Sequence, residues 1–215
     1  MKDIAIFGAG GFGREVLTII DAINKIEPTY NVIGFFDDGL PVGKDINGYP
    51  VLGGMEALNC WSKKLDIAIA VGSPVIKNKI VEAIKNRNID FPILMHPQVI
   101  VGDSKFLKIG KGCIICAGCI ITTNIEIGDF VILNLGCTVG HDSIIGDYAS
   151  FMPSVNISGE VNIAAGVYVG TGAKIINQLS IGENTIVGAG AVVAKSLPAN
   201  CTAVGVPAKV IKQDV

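Results

Sequence analysis

Apolar residues follow two different rhythms along the chain, and the change comes near residue 100. Up to about Met95, short apolar runs alternate with helical stripes. Residues 3–7 are an apolar run closed by glycines and read as a buried strand. Residues 14–26 carry Val16, Leu17, Ile19, Ile20 and Ile23, the stripe of an amphipathic helix. Residues 31–36 and 66–71 read as two further strands, and 91–95 as a last one. A helix is expected over 75–85, with Ile76, Ile80, Val81 and Ile84 on one side. Strands alternating with helices imply a parallel sheet with helices packed on it.

From Ile109 every sixth residue is apolar: Ile109, Ile115, Ile121, Ile127, Leu133, Val139, Ile145, Phe151, and so on to Val193. An unbroken run of this length arises by chance on the order of once in 5,000. Glycine follows many of them, and the fifth place of the hexad is mostly small or β-branched, as at Cys113, Cys137, Ala149 and Val155. A period of six is neither helix nor hairpin. It is a hexapeptide β-helix repeat, three hexads to a triangular coil of 18 residues. The expected divisions are an α/β half-domain of Rossmann type over 1–100, an all-β parallel β-helix over 101–200 and a cap over 201–215. The α/β domain and the cap are expected to cover the two ends of the coil stack.

Composition narrows the function classes. Half of the 215 residues are apolar, enough for a large core. The formal net charge is −2 with no basic cluster, which argues against nucleic acid as a partner. No apolar run approaches the roughly 20 residues of a membrane span, and the start lacks the pattern of a signal peptide. A cytoplasmic protein is expected, with its six cysteines reduced.

Four groups of residues are candidates for chemistry. Gly8-Ala9-Gly10-Gly11-Phe12-Gly13 lies between a strand and a helix, where backbone N–H groups can meet a phosphate. Asp37 and Asp38 end the second strand, where an acid can hold a ribose or base. A nucleotide or nucleotide sugar suits this half-domain better than a whole dinucleotide, and a purely structural tight turn is the alternative. Cys113, Cys116 and Cys119 are spaced at half a hexad, so core packing accounts for them and no metal is expected. His141 is the one histidine of the repeat, followed by Asp142, which is placed to orient the ring. Eighteen residues on stands Gly159, expected to lie over the imidazole and leave room for a ligand. The alternative for His141 is a plain corner residue. A zinc site of three histidines is excluded, because the chain has two.

GAGGFG, FFDDG, Asn134 with GHD seven residues on, and AVGVPAKVIK at 203–212 together resemble the bacterial sialic acid O-acetyltransferase and nucleotide-aminosugar N-acetyltransferase family. The resemblance covers nearly the whole chain. It implies a left-handed β-helix, an exception to the right-handed crossover rule. It implies a homotrimer, with acetyl-CoA in the groove between two solenoids and no metal. Matched position by position, His141 falls on the general base, Asp142 on the acid beside it and Asn134 on an asparagine near the thioester. Gly10, Gly11, Phe12, Asp37, Asp38 and Gly72 fall on the nucleotide-sugar site. Ser150, Thr171 and Ala189 fall on cofactor contacts, with a backbone N–H at Gly170 or Thr171 as oxyanion donor. The activity implied is acetyl transfer from acetyl-CoA to the amine of a nucleotide-linked amino-deoxysugar, directly between the two substrates, for a bacterial glycan precursor. The alternatives are O-acetylation of a free sugar such as sialic acid, and a scaffold without catalysis.

Overall fold

The computed structural model describes residues 1–213. The first ninety residues form β1 (Lys2–Phe7), α1 (Gly11–Ile26), β2 (Tyr30–Phe36), β3 (Asp45–Ile46), β4 (Tyr49–Gly53), α2 (Met55–Asn59), β5 (Leu65–Ile69), α3 (Pro74–Ala83) and β6 (Ile89–Asp90). The sheet order is β3-β4-β2-β1-β5-β6, parallel except for the β3–β4 hairpin. That hairpin and α2 carry no long apolar stripe, and the periodicity does not predict them. β1 sits between β2 and β5, so the chain reverses its direction of travel across the sheet there. The carboxyl ends of β1 and β5 therefore flank the crevice where open α/β sheets bind ligands.

α3 differs from its expected stripe. Ile76 is exposed, and the buried residues are Pro74 and Lys77. Both side chains lie on the same face of the helix, three residues apart. Lys77 reaches a buried acceptor outside its own domain, so an amine takes the inner position.

The rest is a left-handed parallel β-helix of three faces. The first face stacks Leu94–Met95, Ile114–Ile115, Ile132–Leu133, Ser150–Phe151, Tyr168–Val169 and Ile186–Val187. The second runs from Ile100–Val101 through Thr138–Val139 to Val192–Val193, and the third from Leu107–Ile109 to Ser180–Ile181. Partners such as Ile132 and Ser150 stand 18 apart. The strand expected over 91–95 divides: Ile89–Asp90 joins the α/β sheet, and Leu94–Met95 pairs with Ile114–Ile115. The solenoid ladder thus reaches back before the recognisable hexads, because its first coil is two residues longer and breaks the period.

Both apolar columns of the hexad point inward. Ile115, Leu133, Phe151, Val169 and Val187 are fully buried, and so are Cys113, Val131, Ala149, Val167 and Ala191. The corner between them repeats as strictly. Every sixth residue from Gly112 to Gly190 has positive φ, including Asn124, Asp142, Glu160 and Gln178 at 55–62°. A residue with a Cβ pays roughly 1–2 kcal/mol there. The N–H groups of Asp142, Glu160 and Gln178 donate to carbonyls of the coil below, so the strained corner is also a ladder rung.

Contrary to expectation, the α/β domain does not cap an end of the stack; it packs along the first face. Val16, Leu17 and Ile20 of α1 share a core with Leu94, Ile114 and Ile132. Phe130 joins the core on the other side of the sheet and stacks on Tyr148 at 5.3 Å. This is why Ile114 and Ile132, which point outward from the coil, are buried. At the far end Cys201–Val204 extends the first face and pairs with Lys209–Gln213. Gly205 O accepts the Val192 N–H, and Ala208 N–H donates to Val192 O, which satisfies the edge of the second face. Asp214 and Val215, the end of the expected cap, lie outside the described residues.

Candidate active site

His141 and Asp142 occupy the corner between the second and third faces. Nδ1 of His141 lies 2.8 Å from Oδ2 of Asp142, and both side chains are about half exposed (57% and 49%). An ionised carboxylate only accepts, so the ring carries its proton on Nδ1 and leaves Nε2 free as a base. Asp142 reaches the ring because its backbone is left-handed, φ 58°. Its carboxyl is held below the usual carboxylate range, first by the hydrogen bond with His141 and then by Asn124. Asn124 Nδ2 donates to Asp142 Oδ1 at 2.9 Å. Sequence reading missed Asn124, although the 18-residue period places it directly under Asp142.

Gly159 lies where expected but leaves no gap for a ligand. A Cβ built on it would stand 2.5 Å from Nε2, 2.6 Å from Cε1 and 2.9 Å from Cδ2. Distances so nearly equal put the glycine against the face of the ring, so the room it makes is filled by the imidazole itself. The in-plane lone pair of Nε2 points elsewhere.

Asn134, Gly170, Thr171 and Ala189 belong to the preceding corner, between the first and second faces. Asn134 is buried, and its Oδ1 accepts the Leu135 N–H at 2.7 Å. Thr171 and Ala189 are exposed, one coil apart. The Gly170 N–H is committed to Val187 O at 2.8 Å, which removes it as an oxyanion donor. The Thr171 N–H makes no hydrogen bond among the described residues. Ser150 is corrected. It is wholly buried on the first face, and its Oγ accepts from Lys77 Nζ at 2.9 Å. Its side chain presents nothing to an outer ligand. The α/β domain that covers it could not be foreseen from the hexads.

The remaining residues gather at the crevice of the α/β sheet. Gly10 caps α1 without a side-chain hydrogen bond, and a Cβ on Gly10 or Gly11 would meet nothing within 4 Å. The first N–H groups of this 16-residue helix are therefore open to an anion. Phe12 is partly buried against the α1 core. Gly13 serves packing, since a Cβ there would stand 1.9 Å from Gly8 O. Asp37 holds the glycine turn: Oδ2 accepts from Ala9 N–H and Oδ1 from Gly39 N–H, each at 2.9 Å. Asp38 accepts the Met55 N–H at 2.7 Å. Gly72 lies across the crevice, in a groove of about 490 Å³ bounded on the solenoid side by Met152, Tyr168 and Ile186.

The three cysteines Cys113, Cys116 and Cys119 are buried, and no group of three or more His, Cys, Asp or Glu among the described residues could hold a metal ion. Burial pushes the thiols of Cys113 and Cys116 up to about 12, so both stay protonated as core residues. No helix among the described residues is long and apolar enough to cross a membrane.

The PglD N-terminal domain family matches residues 3–84. The GDP-perosamine N-acetyltransferase of Escherichia coli O157:H7 is 36% identical over 223 residues, spanning 99% of this chain and 98% of its own. The acetyltransferase domain of PglB from Neisseria gonorrhoeae FA1090 superposes with a TM-score of 0.90 at 31% identity, over 98% of this chain and 100% of that one. PerB from Caulobacter crescentus, solved with CoA and GDP-perosamine, superposes at 0.89 with 29% identity, over 99% and 98%. The chain belongs to this family of bacterial sugar acetyltransferases, in which a PglD-type N-terminal domain precedes a left-handed β-helix.

Proposed function

We propose that the protein transfers the acetyl group of acetyl-CoA to the amine of a nucleotide-linked amino-deoxysugar, with His141 as general base. The observation that carries this reading is the His141–Asp142 pair, an oriented imidazole with a free Nε2 on an exposed corner. Full-length similarity to a GDP-perosamine N-acetyltransferase supports the acceptor class. Similarity to PerB, which was solved with CoA, supports the donor.

The chemistry follows from what each group can do. The amine must lose a proton to attack. Nε2 of His141 takes it as the nitrogen adds to the thioester carbon, and Asp142 stabilises the imidazolium that forms. Charge moves onto the thioester oxygen, for which the Thr171 N–H is the remaining backbone candidate. Collapse breaks the carbon–sulfur bond, and the thiolate leaves with the proton from His141. No cysteine lies beside His141 as a nucleophile: among the described residues five are buried, and Cys60 stands in the α/β domain. Transfer is therefore direct.

A single chain does not bring the parts together. Asn134, Thr171 and Ala189 line one corner and His141 the next, with the second face between them. Gly10, Gly11 and Gly72 stand at the crevice beside the first face. A homotrimer resolves this by laying one chain's corner against a neighbour's, with acetyl-CoA between. Exposed Ile100, Ile120, Leu135, Ile144 and Ile176 offer the apolar surface for it. A cytoplasmic setting fits six cysteines with none in a disulfide.

The test is release of free thiol from acetyl-CoA. GDP-, UDP- and dTDP-linked 4-amino-6-deoxysugars and free sialic acid serve as acceptors, with wild type and His141→Ala. Release that needs one nucleotide amino sugar, and falls about 10²–10⁴-fold in the variant, is expected. Release with sialic acid alone would replace the reading with O-acetylation. No release and no CoA binding would leave a scaffold.

A further inference from the structure

We propose that Asn124 is a positioning residue for the transfer: from the coil below, its amide holds the Asp142 carboxylate in the orientation that keeps the His141 ring aimed. This rests on the reading of His141 as general base.

The first support is a division of labour between two oxygens. Asp142 Oδ1 takes the Asn124 Nδ2–H at 2.9 Å, and Oδ2 faces His141 Nδ1 at 2.8 Å. Without Asn124, a half-exposed carboxylate would be anchored only by the ring it has to orient. Water would compete for it, and rotation about its last side-chain bond would be free.

The second support comes from the coils above. The same corner column continues with Glu160 and Gln178. Glu160 donates its N–H to His141 O at 2.8 Å, so a second carboxylate starts close to the ring. Its Oε2 instead accepts from Gln178 Nε2 at 3.1 Å, which draws it upward. Each carboxylate has one amide partner. The amide at 124 holds Asp142 to the histidine, and the amide at 178 holds Glu160 away from it.

The third is the fitness of asparagine for the place. Its φ is 55°, a left-handed conformation that asparagine adopts more readily than most residues. Its short amide spans one coil. Around it Lys105, Lys108 and Glu126 line a small cavity of about 260 Å³. Lys108 is paired with Glu126, so these charges leave the Asn124–Asp142 bond intact.

Asn124→Gly removes the amide and keeps the freedom for positive φ. Asn124→Asp keeps the shape and turns the donor into an acceptor. Both are assayed as the full chain with acetyl-CoA and GDP-perosamine, reading kcat, both KM values and the melting temperature. For Asn124→Gly, kcat is expected to fall about tenfold with both KM values within twofold. Asn124→Asp should do the same or worse. Adding Asn124→Gly to Asp142→Asn should cost nothing further in kcat, since the two act through one bond. Unchanged kcat in Asn124→Gly, with His141→Ala inactive, would overturn this inference and leave the base assignment standing. Losses that multiply in the double variant, alongside a lowered melting temperature, would also overturn it, by assigning Asn124 to the fold alone. His141→Ala within tenfold of wild type would remove both readings together.

Discussion

Gly159 lies against the face of the His141 imidazole, with no side chain between them. The hexads alone show a glycine 18 residues after a histidine. The structure shows that the ring occupies the space this leaves. Gly159 carries no positive φ, so alanine is permitted by its backbone but not by its neighbour. Gly159→Ala is expected to push the ring off its position and lower kcat about 10–100-fold, with the melting temperature nearly unchanged. Turnover within twofold of wild type would mean that the ring is not held by this contact.

The glycines of the first turn divide into two kinds. Gly13→Ala would bring a methyl 1.9 Å from Gly8 O, and α1 would have to lift from the sheet. A loss of about 3 kcal/mol or more is expected in denaturant unfolding, or no soluble protein. Gly10→Ala and Gly11→Ala meet nothing within 4 Å, and their stability should change by about 0.5 kcal/mol or less. Their effect should be confined to KM for the nucleotide sugar, as an anion site at the helix start requires.

Asp37 acts on the same turn from the next strand. Asp37→Ala strips the Ala9 and Gly39 N–H groups of their acceptor. A cost of about 1–3 kcal/mol is expected. KM for the nucleotide sugar should rise while KM for acetyl-CoA stays within twofold. Equal increases in both would detach Asp37 from the nucleotide side.

Lys77 links stability to pH. It is 1% exposed, and burial lowers its pKa from 10.5 to about 7, against a smaller opposing effect of Cys113. Between pH 7 and 10.5 the unfolded chain therefore binds a proton that the folded chain does not. Stability rises with pH through that window, by at most about 1.4 kcal/mol per unit. Below pH 7 both states are protonated and the slope vanishes. Thermal unfolding from pH 6 to 9 should show wild type gaining on Lys77→Met as pH rises above 7. A difference that is constant with pH would mean that Lys77 stays charged when folded.

Much of this was legible in the sequence, for reasons of period. A six-residue repeat leaves one place for the large aliphatic and one for the small residue, so Ile115, Cys113 and their columns could be assigned to the core by counting. The same count puts His141 on a corner and Gly159 above it. GAGGFG between a strand and a helix locates the crevice glycines, because the backbone requirement is local. What repeats every 18 residues, or lies within one turn, is written in the order of the chain.

Contacts between distant segments needed the tertiary structure. Ser150 looks like an exposed face residue until the α/β domain covers it and Lys77 enters from α3. Ile76 gives up its expected inner place to Lys77 for the same reason. The first coil escapes the count because two extra residues break its period, and only the pairing of Leu94 with Ile114 restores it. Asn124 has no meaning in its own hexad and acquires one from the carboxylate stacked above it. The repeat determined which residues point in and which stand at corners, since that is set by local backbone geometry. Which corner residues share a proton, and which face is dry, was decided by packing between segments that the chain order keeps far apart.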